Sequence, residues 1–467
     1  MAPGGDGAGA PAFVVAAAAS GTGKTTVALA LMAALRRRGL SVRPFKVGPD
    51  YIDPLIHRAV CGEPSHNLDT WMMGDDGAAA TFRAGTAGGG IGVVEGVMGL
   101  FDGRGGGEEG STARLAKLLS LPVLLVVDAS GASRSVAALV RGFELFDEGV
   151  DLRWVVFNRV GGARHYGLLK SAVEEHCGAR AAGYLPRDAS LELPSRHLGL
   201  VTPGRLDDAR WRRFAEAAAA AAERTMELDE LCAALEPRDS GEDRRRSEGE
   251  GKERGSAAPV VVAVARDDAF CFYYEENLRI LEAAGARCVP FSPLDDGRLP
   301  EGSRGVYLGG GYPELYAARL AANRTLAREL RGKAAAGMPV YAECGGLMYL
   351  GRALIDAEGR LHEMAGLMPW TSRMARRRRA LGYRTVRARA GCPFLEAGGL
   401  VRGHEFRYSE IEGDLSAVER VYDVEGRAEG YLRGMVLASY VHLHFASNPG
   451  FARGFVRRCG EYGSARR

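Results

Sequence analysis

An apolar run that ends in small residues and opens into a helix dominates what this chain can fold into. Val14-Val15-Ala16-Ala17-Ala18-Ala19-Ser20-Gly21-Thr22-Gly23-Lys24-Thr25-Thr26 is followed by a helix-forming stretch from Val27 to Arg38. Strand, tight turn and helix in that order bring backbone N–H groups and a helix N-terminus to one point, which suits a phosphate. Ser20, Gly21, Thr22, Gly23, Lys24, Thr25 and Thr26 are therefore expected to cradle ATP, with Lys24 on the β- and γ-phosphates and Thr25 on Mg²⁺. Ala18 stands where the pattern G-x4-G-K-[ST] has its first glycine, and a plain glycine-rich turn is the competing reading.

Two further loops carry acids behind apolar strands. Phe45-Lys46-Val47-Gly48-Pro49-Asp50-Tyr51-Ile52-Asp53-Pro54 offers a lysine toward the nucleotide and two carboxylates. Ile91-Gly92-Val93-Val94-Glu95 ends a strand in an acid and runs on through Gly96-Val97-Met98-Gly99-Leu100-Phe101 to Asp102. Asp50 and Glu95 join Thr25 as expected Mg²⁺ ligands, because Mg²⁺ prefers hard oxygen donors. Taken singly, each acid reads equally well as a turn-capping carboxylate.

The same rhythm of apolar run, glycine-rich loop and helical stretch recurs at Val123 to Val127 and Trp154 to Phe157, which predicts an α/β fold on a parallel sheet. It breaks at residues 236–258, EPRDSGEDRRRSEGEGKERGSAA, a segment without a large apolar residue and rich in charge and glycine. That composition predicts a charged flexible linker rather than an exposed helix. The rhythm then restarts with strands at Val260 to Val264, Gly305 to Leu308 and Pro339 to Tyr341. The expected organisation is a disordered N-terminus (1–12), a phosphate-binding domain (13–235), the linker (236–258) and a second α/β domain (259–467). A length of 467 residues accommodates both domains.

Composition narrows the function classes. Sixty-one basic against 58 acidic side chains, a net charge of +3, are too balanced for a general nucleic-acid binder. The longest apolar runs, such as Leu121 to Val127, are far short of the ~20 residues of a membrane helix. Eight cysteines without a C-x-x-C pair suggest a reducing, cytoplasmic location.

In the second domain Tyr341-Ala342-Glu343-Cys344-Gly345-Gly346-Leu347 reads as a strand turning sharply into a helix with cysteine at the turn. A thiol there is expected to gain thiolate character from the helix N-terminus and to act as nucleophile. Ser439-Tyr440-Val441-His442-Leu443-His444-Phe445 supplies His442 as general base and then acid. Gly309, Gly310 and Gly311, with Gly345 after the cysteine, are the expected oxyanion donors and substrate loop. His444 reads equally well as a structural histidine, and no orienting carboxylate is identified. A buried, inert cysteine is the competing reading of Cys344.

Together, SGTGKTT, KVGPDYIDP, VVEGVMGLFDG, GGGYPE, AECGGLMYLG, GHEFRYS and ASYVHLHF resemble the cobyrinic acid a,c-diamide synthase family, from Phe13 to about Phe455 apart from the linker. The variant phosphate loop is similar to those of dethiobiotin-synthetase and MinD-like proteins, which removes the objection raised by Ala18. The resemblance implies a phosphate-loop amidoligase domain joined to a flavodoxin-like class I glutamine amidotransferase domain. It also implies that glutamine is hydrolysed at Cys344, that ATP with Mg²⁺ activates a carboxylate, and that ammonia converts it to an amide on a corrinoid polycarboxylate. It further implies roles for Asp50, Ile52, Asp53, Glu95 and Asp102 in handling ATP, metal or substrate, and for Asn158 in contacting adenine. A homodimer is compatible with it, and neither a nucleic acid nor a membrane is required.

A polycarboxylate substrate calls for arginines. Arg376 to Arg379 and the Gly403-His404-Glu405-Phe406-Arg407-Tyr408-Ser409 segment are candidates, the arginine run reading also as a solvated loop and Arg407 standing where many relatives carry His. Cobyrinate, hydrogenobyrinate and nickel sirohydrochlorin remain alternative substrates, and cobyric acid synthase is an alternative activity. A MinD/ParA-like ATPase switch would explain the phosphate loop but would have no need of Cys344 and His442.

Overall fold

The computed structural model describes residues 8–9, 11–193, 209–235, 238–239 and 259–464. They fall into two compact units, Met1–Glu253 and Arg254–Arg467. Most of the expected N-terminal tail and linker, and residues 194–208, lie outside the described residues. Within the tail and linker, Ala8–Gly9 pairs antiparallel with Arg238–Asp239.

The first unit is built on a parallel sheet of β1 (Ala12–Ala17), β2 (Val42–Val47), β3 (His66–Leu68), β4 (Ile91–Glu95), β5 (Val123–Asp128), β6 (Leu152–Val160) and β7 (Arg180–Pro186). Their order across the sheet is β3-β2-β4-β1-β5-β6-β7. β1 and β4 are buried along their whole length, as near-continuous apolar strands covered on both faces must be. Helix α1 (Lys24–Arg37) starts at Lys24, before the expected Val27, because Gly23 adopts the left-handed conformation (φ 92°) and its carbonyl accepts from Val27 N at 3.0 Å. From Val27 to Leu35 every residue of α1 is buried. That all-round burial is possible because α1 lies between the sheet and α2 (Ala209–Thr225), whose alanine-rich face lets the two helices approach closely.

The second unit carries a mixed sheet. Its parallel part comprises β8 (Val260–Ala265), β9 (Ala286–Phe291), β10 (Gly305–Leu308), β11 (Val340–Glu343) and, after β12 (Ala380–Ala388), β13 (Leu400–Arg407), β14 (Glu419–Val424) and β15 (Arg427–Arg433), the strand β16 (Val436–Ser439). The parallel strands lie in the order β9-β8-β10-β11-β16, which in order of use is the flavodoxin-like 2-1-3-4-5. From β16 the sheet continues antiparallel through β15, β14, β12 and β13 to β17 (Val441–Leu443). Only Tyr440 separates β16 from β17, although they lie at opposite ends of the antiparallel part, so this half of the sheet wraps round and brings β17 back beside β16. The sequence rhythm predicts the parallel half alone. The antiparallel strands are half-exposed and arginine-bearing and carry no βα signature.

No helix among the described residues is long and apolar enough to cross a membrane, and all eight cysteines are free thiols.

Close backbone approach makes one glycine critical. Gly183 in β7 has φ 130°, and a Cβ there would run into the Thr225 carbonyl and sit 2.5 Å from Met226 Cα at the end of α2. Gly332, on the helix Arg324–Ala335, has open space around it. Gly183→Ala is expected to destabilise the protein by about 2–4 kcal/mol, and Gly332→Ala to stabilise it by about 0.5–1 kcal/mol. Urea unfolding midpoints of the two variants check both.

Candidate functional site

At the C-terminal ends of β1, β2 and β6, where ligands of open α/β sheets bind, the first unit has a cavity of about 820 Å³. Ser20, Gly21, Gly23, Lys24, Thr25, Thr26, Lys46, Asp50, Asp53 and Asn158 all line it. Thr22 does not, but its carbonyl accepts from Asn158 Nδ2 at 2.9 Å and its hydroxyl donates to the Ala19 carbonyl. A side chain at Gly23 would collide with Asn158, so this glycine is needed both for its φ and for its lack of a Cβ. Ala18 has no left-handed backbone, which is why alanine is accepted where the common pattern has glycine.

Beneath the cavity lies a buried charge cluster. Thr25 Oγ1 donates to Glu95 Oε1 at 2.6 Å, and Lys46 Nζ reaches Glu95 Oε1 at 3.0 Å, Asp53 Oδ2 at 2.6 Å and the Gly96 carbonyl at 3.0 Å. His57 Nε2 meets Glu95 Oε2 at 2.7 Å, and its Nδ1 meets Ser65 Oγ at 3.0 Å. Burial opposes every charge here, but Lys46, His57 and Lys24 more than offset it for Glu95, whose carboxyl is held well below its usual range. Lys46 is likewise buried, yet Asp53, Glu95 and Asp50 keep its ammonium firmly protonated. Burial, then the Asp50 and Glu95 carboxylates, push Asp53 up to about 8. Burial and Lys46 hold Lys24 below its usual value.

Glu95 itself is fully buried and does not line the cavity; it fixes Thr25 and Lys46 from behind. Asp50 Oδ1 accepts from the Ile52 and Asp53 N–H groups, so Asp50 caps the helix Ile52–Cys61 while also lining the cavity. Ile52 is the buried first residue of that helix. Asp102 is exposed and accepts from Gly99 N at 2.9 Å, bracing the loop after β4. Among the described residues no group of three or more His, Cys, Asp or Glu side chains is arranged to hold a metal by itself. Hard oxygens of Thr25 and Asp50 at the cavity wall fit Mg²⁺ that takes its other ligands from phosphates and water.

Sequence reasoning missed His57, Asp128 and Arg159. His57 lies four residues after Asp53 on one helix, and that spacing, which puts both on one face, was the available signal. Arg159 has a left-handed backbone (φ 58°), donates to the Gly21 carbonyl at 3.1 Å and pairs with Asp128 at the end of β5. No local pattern signals that pairing.

In the second unit Cys344 sits between β11 and the helix Gly345–Leu350 with φ 46° and ψ −98°, a strained conformation for a non-glycine residue. Cys344 N donates to the Ser439 carbonyl on β16 at 2.8 Å, and Gly346 N to the Gly309 carbonyl at 3.0 Å, which pins the glycine loop to the turn. A Cβ on Gly345 would lie 2.9 Å from Gly311 N, and one on Gly310 would collide with the His442 ring. Cys344, His442 and the loop Gly309 to Gly311 are thus brought together, with Gly345 and Gly311 backbone side by side where an oxyanion would need donors.

The expected thiolate is not formed at rest. Burial, then the Glu314 carboxylate, push the Cys344 thiol up to about 12, and burial with His404 nearby holds the His442 imidazole down to about 3. The six-residue helix after Cys344 is too short to offset desolvation. Both shifts favour a neutral thiol beside a neutral imidazole in the absence of ligand. His444 is buried against Tyr274, ring centroids 4.7 Å apart, and its Nδ1 accepts from Ala446 N, a structural arrangement.

The segment Gly403 to Ser409 forms a wall of this site. Cys344 Sγ faces the Phe406 carbonyl at 3.7 Å. Buried Glu405 draws in Arg384 (2.9 Å), Arg407 (3.0 Å) and Arg427 (2.8 Å), and the Arg407 guanidinium lies 4.4 Å from the Tyr440 ring centroid. Arg376 to Arg379 are exposed.

Comparison with known proteins agrees with the two-unit organisation. Residues 13–201 match the CobQ/CobB/MinD/ParA nucleotide binding domain family, and residues 261–450 the CobB/CobQ-like glutamine amidotransferase domain family. Over 451 residues the chain is 46% identical to a cobyrinate a,c-diamide synthase of Gloeobacter violaceus, covering 96% of this chain and 97% of that protein. The chain belongs to the cobyrinate a,c-diamide synthase family. Members from Caldanaerobacter subterraneus (40% identity; 97% of this chain and 99% of that protein) and Syntrophotalea carbinolica (44%; 96% and 98%) match equally fully. As a member, the chain is a carbon–nitrogen ligase with a nucleotide-binding domain and a glutamine amidotransferase domain.

A thiol raised to about 12 by burial carries a pH signature. Its reactive fraction is the thiolate, which grows tenfold per pH unit below the pKa. Alkylation of Cys344 by iodoacetamide, followed by mass spectrometry without other ligands, is expected to accelerate about tenfold per unit from pH 7 to 10. A plateau between pH 6 and 8 would instead reveal a preformed thiolate–imidazolium pair.

Proposed function

We propose that this chain converts the a and c acetate carboxylates of cobyrinic acid to amides in the cytoplasm, using ATP and glutamine in cobalamin biosynthesis. The observation that carries the reading is the pairing, in one chain, of a cavity lined by Lys24, Lys46, Thr25 and Thr26 with a strained cysteine and a buried histidine set against one glycine loop.

A carboxylate is a poor electrophile, so one of its oxygens first takes the γ-phosphoryl group of ATP. Lys24 and the Ser20 to Thr26 backbone hold the transferring phosphates, and Asn158 contacts the base. Bound Mg²⁺ would neutralise phosphate charge, with Thr25 and Asp50 at the cavity wall and Glu95 holding Thr25 in place. Ile52, Asp53 and Asp102 belong to the same substrate-handling segments. Lys46, which reaches Asp53, Glu95 and the Gly96 carbonyl, holds the two carboxyl groups in position and favours the ionised form of Glu95.

In the second unit His442 takes the Cys344 proton as sulfur attacks the glutamine side-chain carbonyl. The backbone N–H groups of the glycine loop and Gly345 receive the oxyanion. His442 returns the proton to the departing ammonia, and water then hydrolyses the thioester. Ammonia displaces phosphate from the activated carboxylate and leaves an amide.

Cys344→Ser is expected to abolish amidation from glutamine and to retain it from ammonium, because only the nitrogen source is lost. Lys24→Ala should stop amidation from either donor. Equal loss from both donors in Cys344→Ser, or turnover with ammonium in Lys24→Ala, contradicts this division of labour. Mass spectrometry of products from cobyrinate, hydrogenobyrinate and nickel sirohydrochlorin, each with ATP, Mg²⁺ and glutamine, tests the acceptor. Two amidations of cobyrinate are expected; two on another acceptor alone would reassign the substrate.

A further inference from the structure

The imidazolium that forms when His442 accepts the thiol proton is a buried cation, and a buried cation without a counter-charge is costly. Two residues on from His442 stands His444, which carries no negative charge and packs against Tyr274. The carboxylate that does approach comes from a different strand. Glu343 Oε2 lies 3.9 Å from His442 Nδ1, and both side chains are only 2% exposed.

We propose that Glu343, the residue immediately before Cys344, is the positioning carboxylate of His442: it orients the imidazole through Nδ1 and supplies the counter-charge of the transient imidazolium. This rests on the glutaminase reading above. With Nδ1 turned to Glu343, Nε2 is the nitrogen that exchanges the proton with sulfur, the general logic of a base oriented by a third group.

Glu343 is itself held rigidly. Tyr341 Oη donates to Oε1 at 2.7 Å, Tyr307 Oη to Oε2 at 2.9 Å, and the Leu443 N–H, next to His442, to Oε1 at 2.9 Å. The Leu443 bond ties the end of β11, next to the nucleophile, to β17, which carries the base, while the tyrosine bonds hold the carboxylate from β10 and from β11 itself. The carboxylate is thus anchored between the strand that leads to Cys344 and the strand that carries His442. Other titratable groups around the pair are His404 on β13, Tyr307 on β10, Tyr341 on β11, Tyr422 on β14, Tyr273 and Cys344.

A role confined to tying strands is the rival account, and three variants separate the two. Glu343→Gln keeps the shape and the ability to accept from Leu443 N, but has no charge. It is expected to lower kcat for glutamine hydrolysis by about 10- to 100-fold, the size of effect a supporting partner exerts, with KM within threefold and ammonium-dependent amidation unchanged. Glu343→Asp keeps the charge on a shorter stem and is expected to recover part of that loss.

Burial raises Glu343 to about 7 against the pull of its tyrosine bonds, so wild-type kcat/KM should fall as pH drops through that value. In Glu343→Gln this acidic limb should vanish. Tyr341→Phe removes a hydrogen bond that favours the ionised carboxylate and should move the limb to higher pH, which serves as the test if Glu343→Gln does not fold. Wild-type kcat in folded Glu343→Gln, or an unmoved limb in Tyr341→Phe, overturns the proposal. Absence of glutamine hydrolysis in the wild type would instead overturn the glutaminase reading itself.

Discussion

Both reactive centres sit where a buried parallel strand ends and the chain must reverse into a helix. At such an edge the strand's last polar groups and the helix's first N–H groups point the same way, so the turn between them concentrates unpaired donors. The reversal demands a left-handed residue. Gly23 meets the demand without strain, and its missing Cβ admits Asn158 against the loop. Cys344 meets it with a side chain in place, and the strain is held by its N–H bond to Ser439 and by the glycine loop bonded to Gly346. The rest of each unit is the scaffold that makes these two turns stay folded.

The two turns solve the problem of burial in opposite ways. In the first unit polar groups are buried together: Lys46, Glu95, Asp53, His57 and Thr25 satisfy one another, and Glu95 remains ionised despite complete desolvation. That arrangement suits a site built to receive a polyanion, where fixed charges must be held before the ligand arrives. In the second unit burial keeps Cys344 and His442 neutral, so the reactive charges exist only while the chemistry runs. A neutral resting thiol is also protected from adventitious oxidation, since the thiolate is the reactive form.

Legibility in the sequence followed the range of the contacts. The phosphate loop, Lys46, Asp50 and Cys344 were readable because each sits in a contiguous strand–turn–helix segment whose residues act together. Asn158 needed the family resemblance, and His57 only the four-residue spacing from Asp53. Arg159 and Asp128 were not readable, since their pairing joins the ends of two strands. The antiparallel half of the second sheet was also missed: β12 to β15 are half-exposed and interrupted by arginines, so they lack the near-continuous apolar run that marked the parallel strands.

The sequence by itself determined two α/β units, the positions of both turns, and Cys344 and His442 as candidates for nucleophile and base, because local periodicity and glycine placement are properties of neighbouring residues. Only the tertiary structure decided the protonation of Cys344 and His442, because desolvation depends on everything packed around a group. It also decided the partner of His442. Glu343 and His442 are far apart in the chain and on strands that are not hydrogen-bonded neighbours in the sheet. They meet because the sheet wraps round on itself and carries β17 back to the end of β11.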